Sequence, residues 1–223
     1  MARNIRLSHD PSSARAAGGD GPRERLLRAA DQLFYTRGIR NVGIDEVILA
    51  AGVAKASLYT HFRSKDELIA EYVRQRDARW RSWFREAVSA RASAPRERLL
   101  AVFDVLAEWL ASPGFRGCAF QNASIEMADA THPARATAAA NKGAVRSYLG
   151  ELARESGVAD PRGLADQLSL VAEGAIVTAV ILGPAETAAV ARSARATAVV
   201  LLRASQGSPD VTPRRHARPN KRR

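Results

Sequence analysis

Between Pro22 and Ala204, apolar residues recur at intervals of three and four, glycine or proline bounds each run, and no stretch alternates strictly between apolar and polar. A chain patterned at this period buries its apolar surface only as packed helices, so the expected class is all-α. Leu26, Ala30, Leu33 and Phe34 make the first stripe, which stops at Gly38 and opens at Pro22, where a missing N–H costs nothing. Ile44, Val47, Ile48 and Ala51 predict a short helix ended by Gly52, and a second short helix follows over residues 55–62. Ser64 and Glu67 have the spacing of a capping box and start a long helix to about residue 91. Proline and glycine divide the remainder into helices over 95–111, 119–130, 133–156, 161–182 and 184–204, giving about nine in all. The expected organisation is an N-terminal three-helix helix-turn-helix domain over 21–66 and a C-terminal helical bundle over 67–206. Residues 1–20 and 207–223 hold too few large apolar side chains to offset chain entropy, and are expected to be a disordered arm and a disordered basic tail.

The formal net charge is +11, the balance expected of a chain whose partner carries phosphates. Part of the excess lies in the tail, where Arg214, Arg215, Arg218, Lys221, Arg222 and Arg223 stand without an acid. Such a run serves equally as a solubilising extension or a DNA-contacting one. Cys118 is the lone cysteine, which excludes an intramolecular disulfide framework and a cysteine-rich zinc site. The histidines are scattered, and neither a metal nor a cofactor is expected. The most apolar stretch, residues 168–182, is interrupted by Glu173 and Gly174 and reads as too short to span a bilayer, so a cytoplasmic protein with no membrane partner is expected. No nucleophile-base pairing, phosphate-binding glycine loop or carboxylate cluster marks an enzyme. Two DNA-binding readings remain: a sequence-specific regulator, and a non-specific nucleoid-type protein whose binding would follow salt but not sequence.

Two short helices joined by a glycine-containing turn form the unit that lays its second helix in a major groove. Val53, Leu58 and Phe62 are expected to face inward onto Leu33, Phe34, Val47 and Ile48, leaving Lys55, Ala56, Ser57, Thr60 and His61 outward. Lys55 suits a phosphate or a guanine edge, Ser57 and Thr60 can hydrogen-bond bases or phosphates, and the Ala56 methyl can meet a thymine methyl. Tyr59 can give its hydroxyl to a phosphate. The run Ala50-Ala51-Gly52-Val53-Ala54-Lys55-Ala56-Ser57-Leu58-Tyr59-Thr60-His61-Phe62-Arg63-Ser64-Lys65-Asp66-Glu67-Leu68, preceded by Leu33-Phe34 and Arg37-Gly38, resembles the signature of TetR-type repressors over about residues 23–68. The resemblance implies that Tyr59 and Lys65 touch backbone phosphates, that Lys55, Ala56, Ser57, Thr60 and His61 face the groove, and that Gly43 stands with them at the start of the preceding helix. Val42 and Gly43 replace hydroxyl residues usual in that family, and Ala54 replaces a serine. The alanine offers no side-chain acceptor, at a cost of about 1 kcal/mol of local helix stability.

Beyond Leu68 one further segment carries a likeness: Arg116-Gly117-Cys118-Ala119-Phe120-Gln121-Asn122-Ala123, with Glu126 and His132-Pro133, is similar to a C-terminal variant of these repressors. Trp80, Trp83, Phe84, Phe103, Trp109, Phe115, Phe120 and Met127 concentrate around it. Apolar walls with a few polar groups describe a small-molecule site. Trp83, Phe103, Trp109 and Phe120, with Asn122, Glu126 and His132 as polar candidates, are the expected ligand residues, and Cys118 is expected to be a small buried hydrophobe. The last two helices carry stripes at Leu164, Leu168, Val171, Ala175 and Ile176, and at Ala191, Ala194, Ala198, Leu201 and Leu202. These stripes, and the resemblance, imply a homodimer through about residues 161–204 that matches a palindromic operator in double-stranded DNA. A small-molecule inducer of unknown identity would release it.

Overall fold

The computed structural model describes residues 21–205, so the expected arm and basic tail lie outside the described residues. Nine helices and no strand occur within them: α1 (Pro22–Arg37), α2 (Ile44–Ala51), α3 (Lys55–His61), α4 (Lys65–Arg91), α5 (Pro95–Leu110), α6 (Ala119–Glu126), α7 (Pro133–Glu155), α8 (Pro161–Leu182) and α9 (Thr187–Ala204). Proline opens α1, α5, α7 and α8. Side chains cap others: Ser64 Oγ accepts the Glu67 N–H at 3.1 Å, and Asp160 accepts the Gly163 N–H at 2.9 Å. The return arm of the expected box reaches one residue further back, because the Glu67 carboxylate takes the Arg63 N–H at 2.8 Å. As expected from Gly43 and Ala54, α2 and α3 begin without a side-chain cap.

Two boundaries differ from those the sequence predicts. Helix α6 stops at Glu126 instead of continuing to residue 130, because Met127 turns to extended backbone and Asp129 closes its own turn with the N–H and hydroxyl of Thr131. Helix α9 begins at Thr187 and not at Pro184: Gly183 takes φ +81°, and a turn closes from the Glu186 N–H to its carbonyl at 3.2 Å.

Helices α1 to α3 pack around Leu26, Phe34, Val42, Val47, Leu58 and Phe62, all essentially buried. Helix α4 then leaves this head as one continuous rod, so the domain boundary expected at residue 66 falls within its first turn. In the bundle, α7 packs against α4, α5, α6 and α8, while α9 packs against α5 and α8. Buried charge fixes the rod: Asp31 of α1 pairs with Arg76 at 2.9 Å and Arg79 at 3.3 Å, and Asp77 accepts from Asn141 of α7 at 2.8 Å.

The expected dimer stripes belong to the subunit's own core. Leu164, Leu168, Ala175 and Ile176 of α8, and Ala191, Ala194, Ala198 and Leu202 of α9, are buried within the single chain. Small side chains there allow α8 and α9 close approach to each other and to α5 and α7. The uncovered apolar face lies on the other side, at Leu170 (73% exposed), Val177, Ile181 (74%) and Val200. The stretch 168–182 is the C-terminal part of α8, which starts at Pro161 and runs unbroken through Glu173 and Gly174. Among the described residues α8 is the one helix long and apolar enough to cross a membrane, with mean hydropathy 1.5.

Candidate nucleic-acid interface and regulatory cavity

Helices α2 and α3 are joined at Gly52, whose φ of +61° is the left-handed conformation that a side chain disfavours. The turn aims α3 so that Leu58 and Phe62 are buried and Val53 is half-buried, as the apolar spacing predicts. Lys55, Ala56, Tyr59 and Thr60 are exposed, with Ser57 and His61 half-buried beside them. Six of the expected contact residues thus share one short helix and its outward side.

Lys55 Nζ donates to Asp45 Oδ1 of α2 at 3.0 Å, and this bond and the aspartate's charge hold the ammonium above its ordinary pKa. Both members are exposed, so a phosphate can take the aspartate's place. Thr60 Oγ donates to the Ala56 carbonyl at 3.0 Å, which leaves its oxygen free to accept. The other two expected contacts are engaged inside the head. Lys65 Nζ donates to the Ile39 carbonyl at 2.7 Å and lies 5.8 Å over the Phe34 ring, pinning α4 to the loop after α1. The Gly43 N–H is held by Glu46 Oε1 at 3.0 Å. That bond, with a second from Arg37, holds the Glu46 carboxyl below its ordinary value.

In the bundle, Trp83, Trp109 and Phe120 meet, as expected, around a small cavity with Trp80 and Phe84. Trp80 stacks on Phe84 at 4.8 Å and sits edge-on to Trp109 at 6.3 Å and Phe120 at 6.4 Å. The other expected ligand residues stand elsewhere. Phe103 is buried on a different side of α5 from Val102, Val105, Leu106 and Trp109, which do face the cavity. Asn122 borders a separate outer groove between α6, α7 and α8 and bonds the Arg116 carbonyl at 3.1 Å. Glu126 faces the head, where its Oε2 accepts the Arg40 N–H at 2.9 Å. His132 is the cap of α7: Nδ1 accepts the Ala134 N–H at 3.1 Å, and Nε2 lies 3.9 Å from Asp66.

The apolar pattern did not reveal the cavity's polar members, Asn141 and Lys142 of α7 and Glu173 of α8; Asn141 is tied to Asp77 of α4. The sequence signal of the charged pair was modest: one of several charges in an alanine-rich helix, and one interrupting the most apolar stretch. Lys142 Nζ bonds both Glu173 oxygens at 2.7 Å and contacts Cys118 Sγ at 3.3 Å. Cys118 is buried, as expected.

Helix α6 links cavity and head. Before its start, Tyr35 of α1 donates its hydroxyl to the Gly117 carbonyl at 2.9 Å and accepts the Arg116 N–H at 3.0 Å. At its end stands the Glu126 contact, and between them Phe120 forms a wall of the cavity.

Comparison with known proteins gives two matching family models. One, described as bacterial regulatory proteins of the tetR family, covers residues 26–72; the other, described as a tetracyclin repressor-like C-terminal domain, covers residues 95–195. A TetR-family transcriptional regulator from Streptomyces coelicolor is 32% identical, with 83% of this chain and 96% of that one covered at a TM-score of 0.76. The transcriptional regulator YjdC of Escherichia coli K12 is 26% identical over 69% of this chain and 81% of its own length. The transcriptional regulator AcuR of Cereibacter sphaeroides is 29% identical over 70% of this chain and 75% of its own.

Proposed function

Because this chain belongs to the TetR family of bacterial regulatory proteins, and is therefore a DNA-binding transcriptional regulator, we propose that it is a repressor that leaves a palindromic operator when a small molecule enters its helical bundle. The observation that carries the reading is the placement of α6. This helix forms a wall of the aromatic cavity and is hydrogen-bonded to the head at both ends, so a change in the cavity reaches the helix that carries Lys55, Tyr59 and Thr60. In a two-fold dimer, two such helices enter successive major grooves only when they stand about 34 Å apart. Displacing α6 alters that spacing.

The dimer this requires would form through α8 and α9, by the face that carries Leu170, Val177, Ile181 and Val200. Covering that face gives the apolar α8 a protein partner, which fits a cytoplasmic protein. Lys55 and Tyr59 contact phosphates, and Ala56, Ser57, Thr60 and His61 read base edges. Lys65 acts chiefly as the pin that sets the angle between α4 and the head. No catalytic role is assigned, since regulation of transcription needs only binding.

The test is reciprocity. An operator would be selected from random DNA, and a ligand found by thermal shift; each affinity would then be measured with and without the other partner. Linkage requires the same factor in both directions. A ligand that stabilises the protein yet leaves operator affinity unchanged would refute release by that ligand, and binding that follows salt but no sequence would replace the repressor with the nucleoid-type reading.

A further inference from the structure

The cavity and the outer groove are separated by a thin partition. Phe120, Lys142, Val145 and Glu173 border both spaces. The groove holds about 1120 Å³ and the cavity about 40 Å³, enough for one or two waters and too little for a ring. The polar part of the partition ties three helices: Gln121 of α6 and Lys142 of α7 both bond Glu173 of α8. Lys142 and Glu173 keep side-chain exposures of 32% and 29% beside a largely apolar, aromatic space. Unlike the apolar side chains around it, this part-exposed ion pair can part by exchanging its bonds with water.

The chemistry of the space behind it selects the occupant. Trp80 meets Trp109 and Phe120 edge to face, and once these rings are parted their edges and faces offer favourable quadrupole contacts to another flat ring. The Lys142–Glu173 pair is neutral as a unit. An entering carboxylate would be dehydrated beside Glu173, and an entering cation beside Lys142, so either charge is penalised. Two of the three Lys142 donors are spent on carboxylate oxygens, and the third is spent on the Cys118 sulfur, a weak acceptor. An oxygen placed there is a better partner for the ammonium than the sulfur it displaces.

We infer that the cavity takes an uncharged aromatic molecule bearing a carbonyl oxygen, which enters from the outer groove by parting Lys142 from Glu173 and then accepts the Lys142 hydrogen bond now directed at Cys118. This rests on the bundle being the ligand domain. It adds the class of molecule, the group that recognises it and the entry route. It also relates the small cavity to the larger groove beside it: the first is the site and the second its vestibule, whose α8 wall includes Val177 and Ile181 of the proposed dimer face, so that the partner subunit borders the entrance.

The chain's three tryptophans all border the cavity, so their fluorescence reports its filling directly. Acetophenone, ethylbenzene and benzoate share a ring and differ in the group offered to Lys142. Wild-type protein should bind acetophenone and ethylbenzene and show no saturable response to benzoate. Lys142→Met should weaken acetophenone about tenfold, the value of a hydrogen bond to a charged group, and leave ethylbenzene within about twofold. Equal weakening of both, no weakening of acetophenone, tighter binding of benzoate, or no response to any of the three would overturn the inference. If Lys142→Met does not fold, Glu173→Gln decides by stopped flow: loosening the partition should speed association of both neutral probes, and unchanged rates would overturn the entry route. Operator binding measured on the same samples separates the two proposals, because a failed probe pattern with intact operator binding counts against this inference alone.

Discussion

Substituting glutamate for Ile181 tests the reassigned dimer face, because this side chain is 74% exposed in the single subunit while the small residues once expected to form the interface are buried. Full burial of an isoleucine is worth about 1.5–3 kcal/mol, so covering three quarters of it is worth ~1–2 kcal/mol. Two-fold symmetry applies each substitution twice, and Ile181→Glu therefore removes ~2–4 kcal/mol per dimer before the carboxylate's own desolvation is counted. That corresponds to a dissociation constant raised by roughly thirty- to a thousandfold. Leu170→Glu acts at a site of similar exposure, 73%, on the same face of α8. The double variant should sediment as a folded monomer at micromolar concentration, with helical circular dichroism intact and operator binding lost. Ala198→Glu is the contrasting case: the residue is 0% exposed, and a carboxylate there meets the core of its own subunit, so the chain should unfold instead of dissociating. A double variant that stays dimeric, or an Ala198→Glu protein that is a well-folded monomer, would return the interface to the inner stripes and refute the reasoning.

Lys55→Ala should lower the log-log salt slope of operator binding by about one unit, whereas Ser57→Ala or Thr60→Ala should shift base preference and leave the slope in place; a binding-selection series at several salt concentrations checks both. The head should lose stability in acid. Hydrogen bonds from the backbone of Gly43 and Arg63 hold Glu46 and Glu67 below their ordinary pKa, so both favour the folded state at neutral pH, and the benefit disappears as pH falls from about 4.3 towards their lowered values. In urea titrations against pH, Glu46→Gln with Glu67→Gln should flatten that acid limb, and parallel limbs would disprove the assignment. Trp109→Ala should cost ~3–5 kcal/mol of stability through the void it leaves, read from denaturant unfolding.

Helix positions were legible in the sequence because each depends on local chemistry: proline in a first turn, glycine after a last one, and apolar residues at helical spacing. The recognition helix was legible for the same reason, since Leu58 and Phe62 fix which side is buried and so which side is left to DNA. What the pattern could not supply was the direction in which a buried stripe faces. Leu168 and Ala198 read identically whether the covering helix comes from the same chain or a second copy, and the neighbours α5 and α7 decided it. Individual partners were hidden likewise. Glu126 pairs with Arg40, 86 positions away, and Lys65 with a carbonyl 26 positions away, and no period in the sequence records either. Phe103 failed as a cavity residue because aromatic content alone does not say which side of α5 it lies on.

Two routes join the bundle to the head, and their energies decide which of them can move. Along α4, the junction with α1 is the Asp31–Arg76 pair, with side-chain exposures of 8% and 6%. Breaking a buried pair strands a charge and costs about 3–5 kcal/mol, more than the 1–3 kcal/mol typical of allosteric coupling. A ligand working through this junction would have to overcome more than it can supply. Along α6 the link is three hydrogen bonds, two through the Tyr35 hydroxyl and one from Arg40 to the Glu126 carboxylate. At about 0.5–1.5 kcal/mol for each neutral bond and 1.5–3 for the charged one, losing one or two of them falls within the coupling range. The junction of α1 with α4 therefore holds while α6 is the element that yields. Phe120 stands between the two ends of the link and borders both the cavity and the groove. A molecule that separates Lys142 from Glu173 also acts on the bond that Glu173 takes from Gln121 of α6, the helix whose ends hold Tyr35 and Arg40.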